Sequence, residues 1–431
     1  MSKIRAFISS DSVRGIAKLL SANVVAQVIG LLVYPLLTRM YSPEDFGLLN
    51  LFVSISSVLA ILSTAEYQYA IVLPRDDDDA RRVVHVCVLL LLVTTGLLLL
   101  TLPFSDQIAS VFRTPALASY YVWMPLAVLG LGSWNILNYW FIRHKMFARI
   151  SGYQMSQSAL AATSKLALGY AGVLQGGLIY SMVIAPLVSI VLSVTLAFRT
   201  CIRRLFVIDV HGMKQVAHTY RNFPLFTMPR SFINVLAGQL PVLLLVPMFG
   251  TEHVGFWGMA MLLGFVPINM ITKAIYQVMY QHITERVHAA RPVLTVVRKF
   301  VIVCSIVAVP LFIGLAFILP EMTAWLLGEE WYVSGEYVRW MLPWLFFSLL
   351  TGSLCFLSDV FFQQKVGLYF EILLAFARVL GIALGLVMHS FVWAIAAYSI
   401  GTAIAVAAQL VWLMSLARKH DNNLSATINH L

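Results

Sequence analysis

The feature that most restricts this chain is a succession of apolar stretches, each about as long as a bilayer is thick and separated by short polar gaps. They fall at 19–38, 46–72, 83–103, 118–142, 151–173, 177–198, 225–248, 255–280, 299–319, 337–362, 367–388 and 392–416. A helix needs about 20 mostly apolar residues to cross a hydrocarbon core. Only helices and closed barrels satisfy their backbone polar groups there. The pattern therefore predicts an all-α polytopic membrane protein of about twelve transmembrane helices. Composition agrees: 60% of the 431 residues are hydrophobic and 11% charged, against roughly 25% charged in soluble domains. This excludes a nucleic-acid-binding role, and the net charge of +10 is read as topology instead.

Lys and Arg concentrate in the cytoplasmic loops of membrane proteins. Of the 29 Lys and Arg residues, Arg39, Arg113 and Arg339 fall on one side and Lys165, Lys273 and Arg378 within or near the ends of spans; the remaining twenty-three share the side of the N-terminus. Both termini are thus expected in the cytoplasm. The polar, basic segment Met1 to Lys18 is too long for the n-region of a signal peptide, and no small-residue cleavage site follows, so the first stretch is read as a retained helix. Cys87, Cys201, Cys304 and Cys355 lie far apart without CxxC spacing, which indicates neither a disulfide framework nor a metal site.

The longest cytoplasmic stretch, Arg199 to Phe223, is the natural seam. It divides a six-helix bundle at 1–205 from a second at 225–431 with its cytoplasmic tail, joined by a linker at 206–224. The linker alternates Arg203, Arg204, Lys214 and Arg221 with Leu205, Phe206, Val207 and Val216. That pattern suits a helix on the inner leaflet or a solvated tether. The halves echo one another. Tyr41-Ser42-Pro43-Glu44-Asp45-Phe46-Gly47 reappears as Phe249-Gly250-Thr251-Glu252-His253-Val254-Gly255, Asn23 and Gln27 as Asn234 and Gln239, and Lys165 with Gly172 as Arg378 with Gly385. Six helices return the chain to its starting side, so the repeats are parallel and pseudo-symmetric, as in carriers whose two bundles rock about a cavity.

Ionisable groups inside a span usually face a cavity or a partner. Lys165 and Arg378, at equivalent points of the repeats, are the leading candidates for binding an anionic substrate such as a diphosphate or acidic sugar. The competing use of Arg378 is a pair with Glu371, two turns earlier. Arg39 and Lys273 are further candidate cations, with snorkelling to the interface as their alternative. Asn23, Gln27, Asn234 and Gln239 are polar amides inside helices, suited to sugar hydroxyls or to interhelical hydrogen bonds. Glu66 and Glu371 are candidates for proton or sodium coupling. Asp76 to Asp79 lie beside Arg75, Arg81 and Arg82, which favours a self-neutralised turn over a metal site. Gly328-Glu329-Glu330-Trp331 is read as an interfacial helix start anchored by its Trp. No GxSxG, HExxH, P-loop or dinucleotide fingerprint occurs. No catalytic residue, metal or cofactor is therefore expected.

At Pro35-Leu36-Leu37-Thr38-Arg39-Met40-Tyr41-Ser42-Pro43-Glu44-Asp45-Phe46-Gly47 and Tyr69-Ala70-Ile71-Val72-Leu73-Pro74, the chain resembles bacterial oligosaccharide flippases of the Wzx type. These belong to the superfamily of multidrug, oligosaccharidyl-lipid and polysaccharide exporters. The likeness continues through Asn222-Phe223-Pro224-Leu225, Gln239-Leu240-Pro241 and Gly335-Glu336-Tyr337 and ends near Arg378. It implies a bacterial inner-membrane protein that moves undecaprenyl-diphosphate-linked oligosaccharide to the periplasmic leaflet by alternating access, for O-antigen (lipopolysaccharide) or related polysaccharide synthesis. It also implies a polymerase and a chain-length regulator as partners, and a cationic cavity that fits Lys165 and Arg378. The family often carries Arg-Tyr-Glu where this chain has Glu66-Tyr67-Gln68, and a small residue where it has Arg230. Arg230 is therefore added to the candidate cations. The competing classes are a cation-coupled drug exporter, which calls for an acid-lined pocket, a membrane glycan polymerase or glycosyltransferase, which calls for a large outer loop, and a scaffold.

Overall fold

The computed structural model describes residue 30, residues 32–198, residue 205 and residues 209–429. Asn23, Gln27, most of the first apolar stretch, and residues 206–208 of the linker lie outside the described residues. What is described is helical from end to end. We number the long helices α1 (Pro43–Thr64), α2 (Asp77–Leu100), α3 (Met124–Arg143), α4 (Phe147–Tyr170), α5 (Leu174–Ala197), α6 (Val210–Thr219), α7 (Met228–Ala260), α8 (Val266–His288), α9 (Leu294–Leu327), α10 (Tyr332–Gly352), α11 (Gln364–Val387) and α12 (Phe391–Asn429). Eight segments among the described residues are long and apolar enough to cross a membrane, and one of them, Phe223–Val287, has 65 residues, enough for two crossings. Its backbone leaves the helical region at Gly250 (φ 86°, ψ 173°), between the seventh and eighth expected stretches. Leu92, Leu100, Ile306, Phe317 and Trp325 are exposed. Such apolar surface suits a hydrocarbon surround rather than water.

Two compact units emerge, Met1–Glu252 and His253–Leu431. In the first, Ile71, Ala80, Val83, Val84, Cys87, Trp140 and Phe141 form a core joining α2 and α3. The motif before α1 explains itself locally. Ser42 caps the helix, its hydroxyl accepting from the Asp45 amide while the Asp45 carboxylate accepts from the Ser42 amide; such reciprocal capping satisfies donors that a helix start leaves orphaned. Pro43 occupies the first turn, where its missing N–H costs nothing. Tyr41 is buried between α4 and α5. A Cβ on Gly169 or Gly177 would meet its ring or hydroxyl at 3.1 and 2.5 Å respectively, so two glycines make the slot for one phenol.

The linker resolves into α6, whose start is capped by Asp209 accepting from the Gly212 amide. Val216 is buried against the first unit's core, with Met213, Ala217 and Tyr220 packed beside it. Polar ties hold it there. Arg82 binds Asp209 at 2.8 Å, Tyr67 donates to the Ala217 carbonyl at 2.9 Å, and His85 meets the Leu205 carbonyl at 2.6 Å. This helix packs its apolar side against protein.

In the second unit, Ile283, Val293, Val297, Leu350, Leu354, Phe356, Leu357 and Leu413 form the core. Asp421, late in α12, accepts from the amides of Val293 and Leu294 at 2.8 and 3.0 Å, capping α9 from another helix. The α11–α12 seam is tight: a Cβ on Gly381 would lie 2.4 Å from the Tyr398 nitrogen, and one on Gly385 2.1 Å from the Ala394 Cβ. Small residues let backbones approach this closely in membranes, where packing rather than hydrophobicity drives association. Trp331 corrects an expectation. It is fully buried, edge-on to Phe256 at 5.7 Å, and serves as a core anchor instead of an interface anchor.

Candidate functional site

Among the described residues, each unit holds a cation beside aromatic rings. In the first, Lys165 sits on α4, half-buried, with its Nζ 5.7 Å from the centroid of the Tyr34 ring. The helix is fixed at that level because the Tyr41 hydroxyl donates to the Lys165 carbonyl oxygen at 2.7 Å. In the second, the Arg378 guanidinium carbon stands 6.0 Å from the Trp344 ring and 5.8 Å from the Tyr398 ring. Those rings are held in turn: Tyr398 edge-on to Trp257 at 5.5 Å and to Trp344 at 5.7 Å, and Trp344 stacked on Phe265 at 5.5 Å. A cation over a ring gains from the quadrupole without using its hydrogen-bond donors.

Those donors are what matters chemically. The Arg378 Nε is buried with no hydrogen-bond partner among the described residues. The salt bridges found among the described residues belong to Arg81, Arg82 and Arg143, and none involves Lys165 or Arg378. Glu371 is exposed, and its pair with Arg378, the alternative use of that cation, is not formed among the described residues. A buried polar group without a partner costs free energy. The Arg378 guanidinium, stabilised by rings with its Nε unpartnered among the described residues, is suited to an incoming anion, and the half-buried Lys165 is the second such candidate.

The other candidates are dispersed. Arg39 and Lys273 are exposed, as snorkelling requires. Gln239 accepts a hydrogen bond from Ser54 at 2.8 Å, the interhelical use of an amide, while Asn234 and Arg230 are exposed on α7. Glu66 is buried in a left-handed backbone turn (φ 62°). Its carboxylate hydrogen-bonds Gln68 and Ser231, Gln68 accepts from Thr64 at 2.6 Å, and no cation pairs with Glu66 among the described residues. The Asp76 to Asp79 run is the first turn of α2, where Asp77, Asp78 and Asp79 pair with Arg143, Arg81 and Arg82. No group of three metal-ligating side chains forms among the described residues.

Sequence reasoning overlooked two features. Arg143, counted only as a topological charge, donates to the carbonyls of Ile71, Pro74 and Asp76 and to the Asp77 carboxylate, pinning the turn between α1 and α2. The aromatic frames also went unread, although Trp344 and Tyr398 were visible as polar-edged aromatics in apolar stretches.

A family model described as polysaccharide biosynthesis protein matches residues 36–336. The chain belongs to that family. No curated protein matches the sequence significantly. Among solved structures, the lipid II flippase MurJ in an inward closed conformation aligns with a TM-score of 0.70 at 14% identity, over 95% of this chain and 91% of that one. An inward-facing multidrug resistance MATE family transporter of the MOP superfamily aligns with 0.67 at 14%, over 93% and 96%. A MOP superfamily transporter from Pyrococcus furiosus aligns with 0.57 at 15%, over 97% and 98%. At these identities the likeness carries the fold: this is a multi-pass membrane protein with the architecture of MOP transporters.

Proposed function

We propose that this protein is a flippase that carries undecaprenyl-diphosphate-linked oligosaccharide units from the cytoplasmic to the periplasmic leaflet of a bacterial inner membrane, for O-antigen or related polysaccharide synthesis. The observation that carries the step from transporter to anionic-lipid transporter is the ring-framed, acid-free setting of Lys165 and Arg378. Charged groups at membrane depth mark substrate paths, and Arg and Lys are the side chains that hold phosphates. Family membership and the fold shared with a lipid II flippase support the same reading.

In this proposal both termini lie in the cytoplasm, as the skew of basic residues favours. The halves alternate access, with Lys165 and Arg378 each offering a cation to the diphosphate or an acidic sugar. Arg39, Lys273, Arg230, Asn234 and Gln239 play secondary parts along the path. Glu66, a buried carboxylate without a counter-cation, is the proton- or sodium-coupling candidate, with exposed Glu371 behind it. A polymerase and a chain-length regulator consume the delivered unit.

The test is made in cells lacking this gene. Lipid-linked oligosaccharide should accumulate in the cytoplasmic leaflet while surface glycan disappears, and the intact gene should restore both. The Lys165→Ala/Arg378→Ala double variant, at normal membrane levels, should not. Surface glycan unchanged by the deletion, with lost export of cationic drugs, would refute the reading.

A further inference from the structure

The face of α4 that carries Lys165 is polar along much of its length. At 3.6 residues per turn, Ser158 and Gln154 lie about 20° from Lys165 round the helix axis, and Ser151 about 40°. The exposed residues of α4, among them Met155, Ala159, Thr163 and Ala167, all lie about 80° or more away. Ser151 is buried, and Gln154, Ser158 and Lys165 are half-buried. This stripe therefore faces into the first unit, while the opposite side of α4 meets the hydrocarbon.

Two polar atoms on the stripe lack partners. The Ser151 hydroxyl and the Gln154 side-chain carbonyl oxygen are buried without a hydrogen bond among the described residues, and Ser151 is only 9% exposed. Off the stripe the same helix spends its hydroxyls on itself: Thr163 donates to the Ala159 carbonyl at 2.9 Å and Ser164 to the Leu160 carbonyl at 2.6 Å. A buried polar atom left unmatched is costly at membrane depth, so Ser151 and Gln154 are suited to a ligand that brings hydrogen bonds. Between Ser158 and Lys165 the stripe carries only Ala161 and Ala162, and no large side chain interrupts it.

Charge narrows the ligand. The sequence of α4 holds no Asp or Glu, and its other cation, Arg149, lies about 160° round from Lys165. Lys165 itself forms no salt bridge among the described residues. One cation continued by neutral hydrogen-bonding groups matches a molecule whose anionic group is continued by neutral hydroxyls, as a diphosphate is by sugar rings. A cationic drug would find no carboxylate there. Along the axis Ser158 and Gln154 stand about 10 and 16 Å from Lys165 at 1.5 Å per residue, towards the cytoplasmic end of α4 in the topology proposed above. A glycan entering from the cytoplasm extends that way. We propose that Ser151, Gln154 and Ser158 form a sugar subsite that reads neutral hydroxyls on the rings next to a diphosphate held by Lys165. This rests on the flippase reading and makes the first sugars, rather than the far end of the chain, what the protein selects.

The experiment uses the full chain, with affinity read by native mass spectrometry in detergent and flipping measured in phosphatidylethanolamine/phosphatidylglycerol vesicles. One probe is a bare short-chain polyprenyl diphosphate; the other carries a neutral trisaccharide on the same diphosphate. The intact protein should hold the trisaccharide probe more tightly, by roughly 2- to 10-fold for each neutral hydrogen bond made. Gln154→Leu and the smaller change Ser151→Ala should each remove a factor of that size from the preference while leaving affinity for the bare probe unchanged. Lys165→Ala should weaken both probes alike. Equal affinity of the intact protein for the two probes, or full preference kept in both stripe variants, overturns the subsite. So does a Gln154→Leu protein that loses thermal stability and affinity for both probes in proportion, which assigns the amide to helix packing. Flipping of the trisaccharide probe without any preference for it would remove the subsite and leave the flippase reading standing; preference without flipping would do the reverse.

Discussion

Removing the Arg378 side chain should weaken capture of an anionic lipid by an amount the geometry sets. The guanidinium lies 6.0 and 5.8 Å from two ring centroids, and each such contact contributes about 0.5–1 kcal/mol when exposed and about 2 when desolvated. That energy fixes the side chain in place; it does not consume the donors. A hydrogen bond from a charged donor to an anion contributes about 1.5–3 kcal/mol, which is roughly a 10- to 150-fold change in affinity at 1.4 kcal/mol per decade. Arg378→Ala should therefore lower the affinity for a short-chain polyprenyl diphosphate oligosaccharide, measured by native mass spectrometry in detergent, by that factor. Arg378→Lys should fall between, because the ammonium keeps the charge but not the planar fork. Tyr398→Leu should weaken binding through Arg378, so a double-mutant cycle with Arg378→Ala should show coupling of about 1 kcal/mol. Unchanged affinity in folded Arg378→Ala would refute the assignment, and zero coupling would show that the ring does not act through the cation.

Asp421→Ala removes the shared cap on the Val293 and Leu294 amides and should cost about 0.5–2 kcal/mol, read as a lower thermal unfolding midpoint in detergent. Arg143→Lys cannot reproduce the fork that reaches three carbonyls and Asp77; hydrogen exchange at residues 71–77 should accelerate about tenfold or more, while α9 and α10 remain protected. Glu66→Gln preserves shape and most hydrogen bonds but removes the ionisable group; if Glu66 couples transport to protons, expression should hold while the dependence of flipping on an imposed pH gradient is lost. A Glu66→Gln protein that still responds fully to the gradient would exclude that role.

The spans were legible because hydropathy is a local property and bilayer thickness a fixed length. The capping box at Ser42 and Asp45 was likewise within reach of four consecutive residues. The setting of Arg378 was not. Spacing suggested Glu371, two turns away on one helix, whereas the contacts are with Trp344 and Tyr398 on α10 and α12, which only tertiary packing brings together. Trp331 was misjudged for a related reason: aromatic residues near acidic ones read as an interface belt, but the positive φ of Gly328 (116°) precedes a short turn after which Trp331 is buried. The linker's apolar residues were noticed, and their partner, the core of α2 and α3, could not be named without the fold.

The motif that recurs at 41–47 and 249–255 takes a different local structure at its two positions. In the first copy, Ser42 is extended (φ −74°, ψ 163°) and Asp45 returns its hydrogen bond, so the chain breaks and a helix starts cleanly. In the second, Gly250 replaces the capping serine and His253 the returning aspartate. Glycine has no side chain to cap with, but it adopts a φ of 86° without the strain that an L side chain would carry. His253 instead turns to Tyr337, its Nδ1 3.3 Å from the hydroxyl, and stacks on Phe391 at 5.1 Å. The cap has been exchanged for a backbone bend followed by an anchor. That bend lies two residues before the boundary between the compact units at Glu252 and His253. Gly250 bends the backbone where the first motif has a fixed helix start. Gly250→Ser would place the first motif's cap residue there without its Asp partner and force an L side chain to a φ of 86°, so it should gain no capping box and lower the thermal unfolding midpoint in detergent.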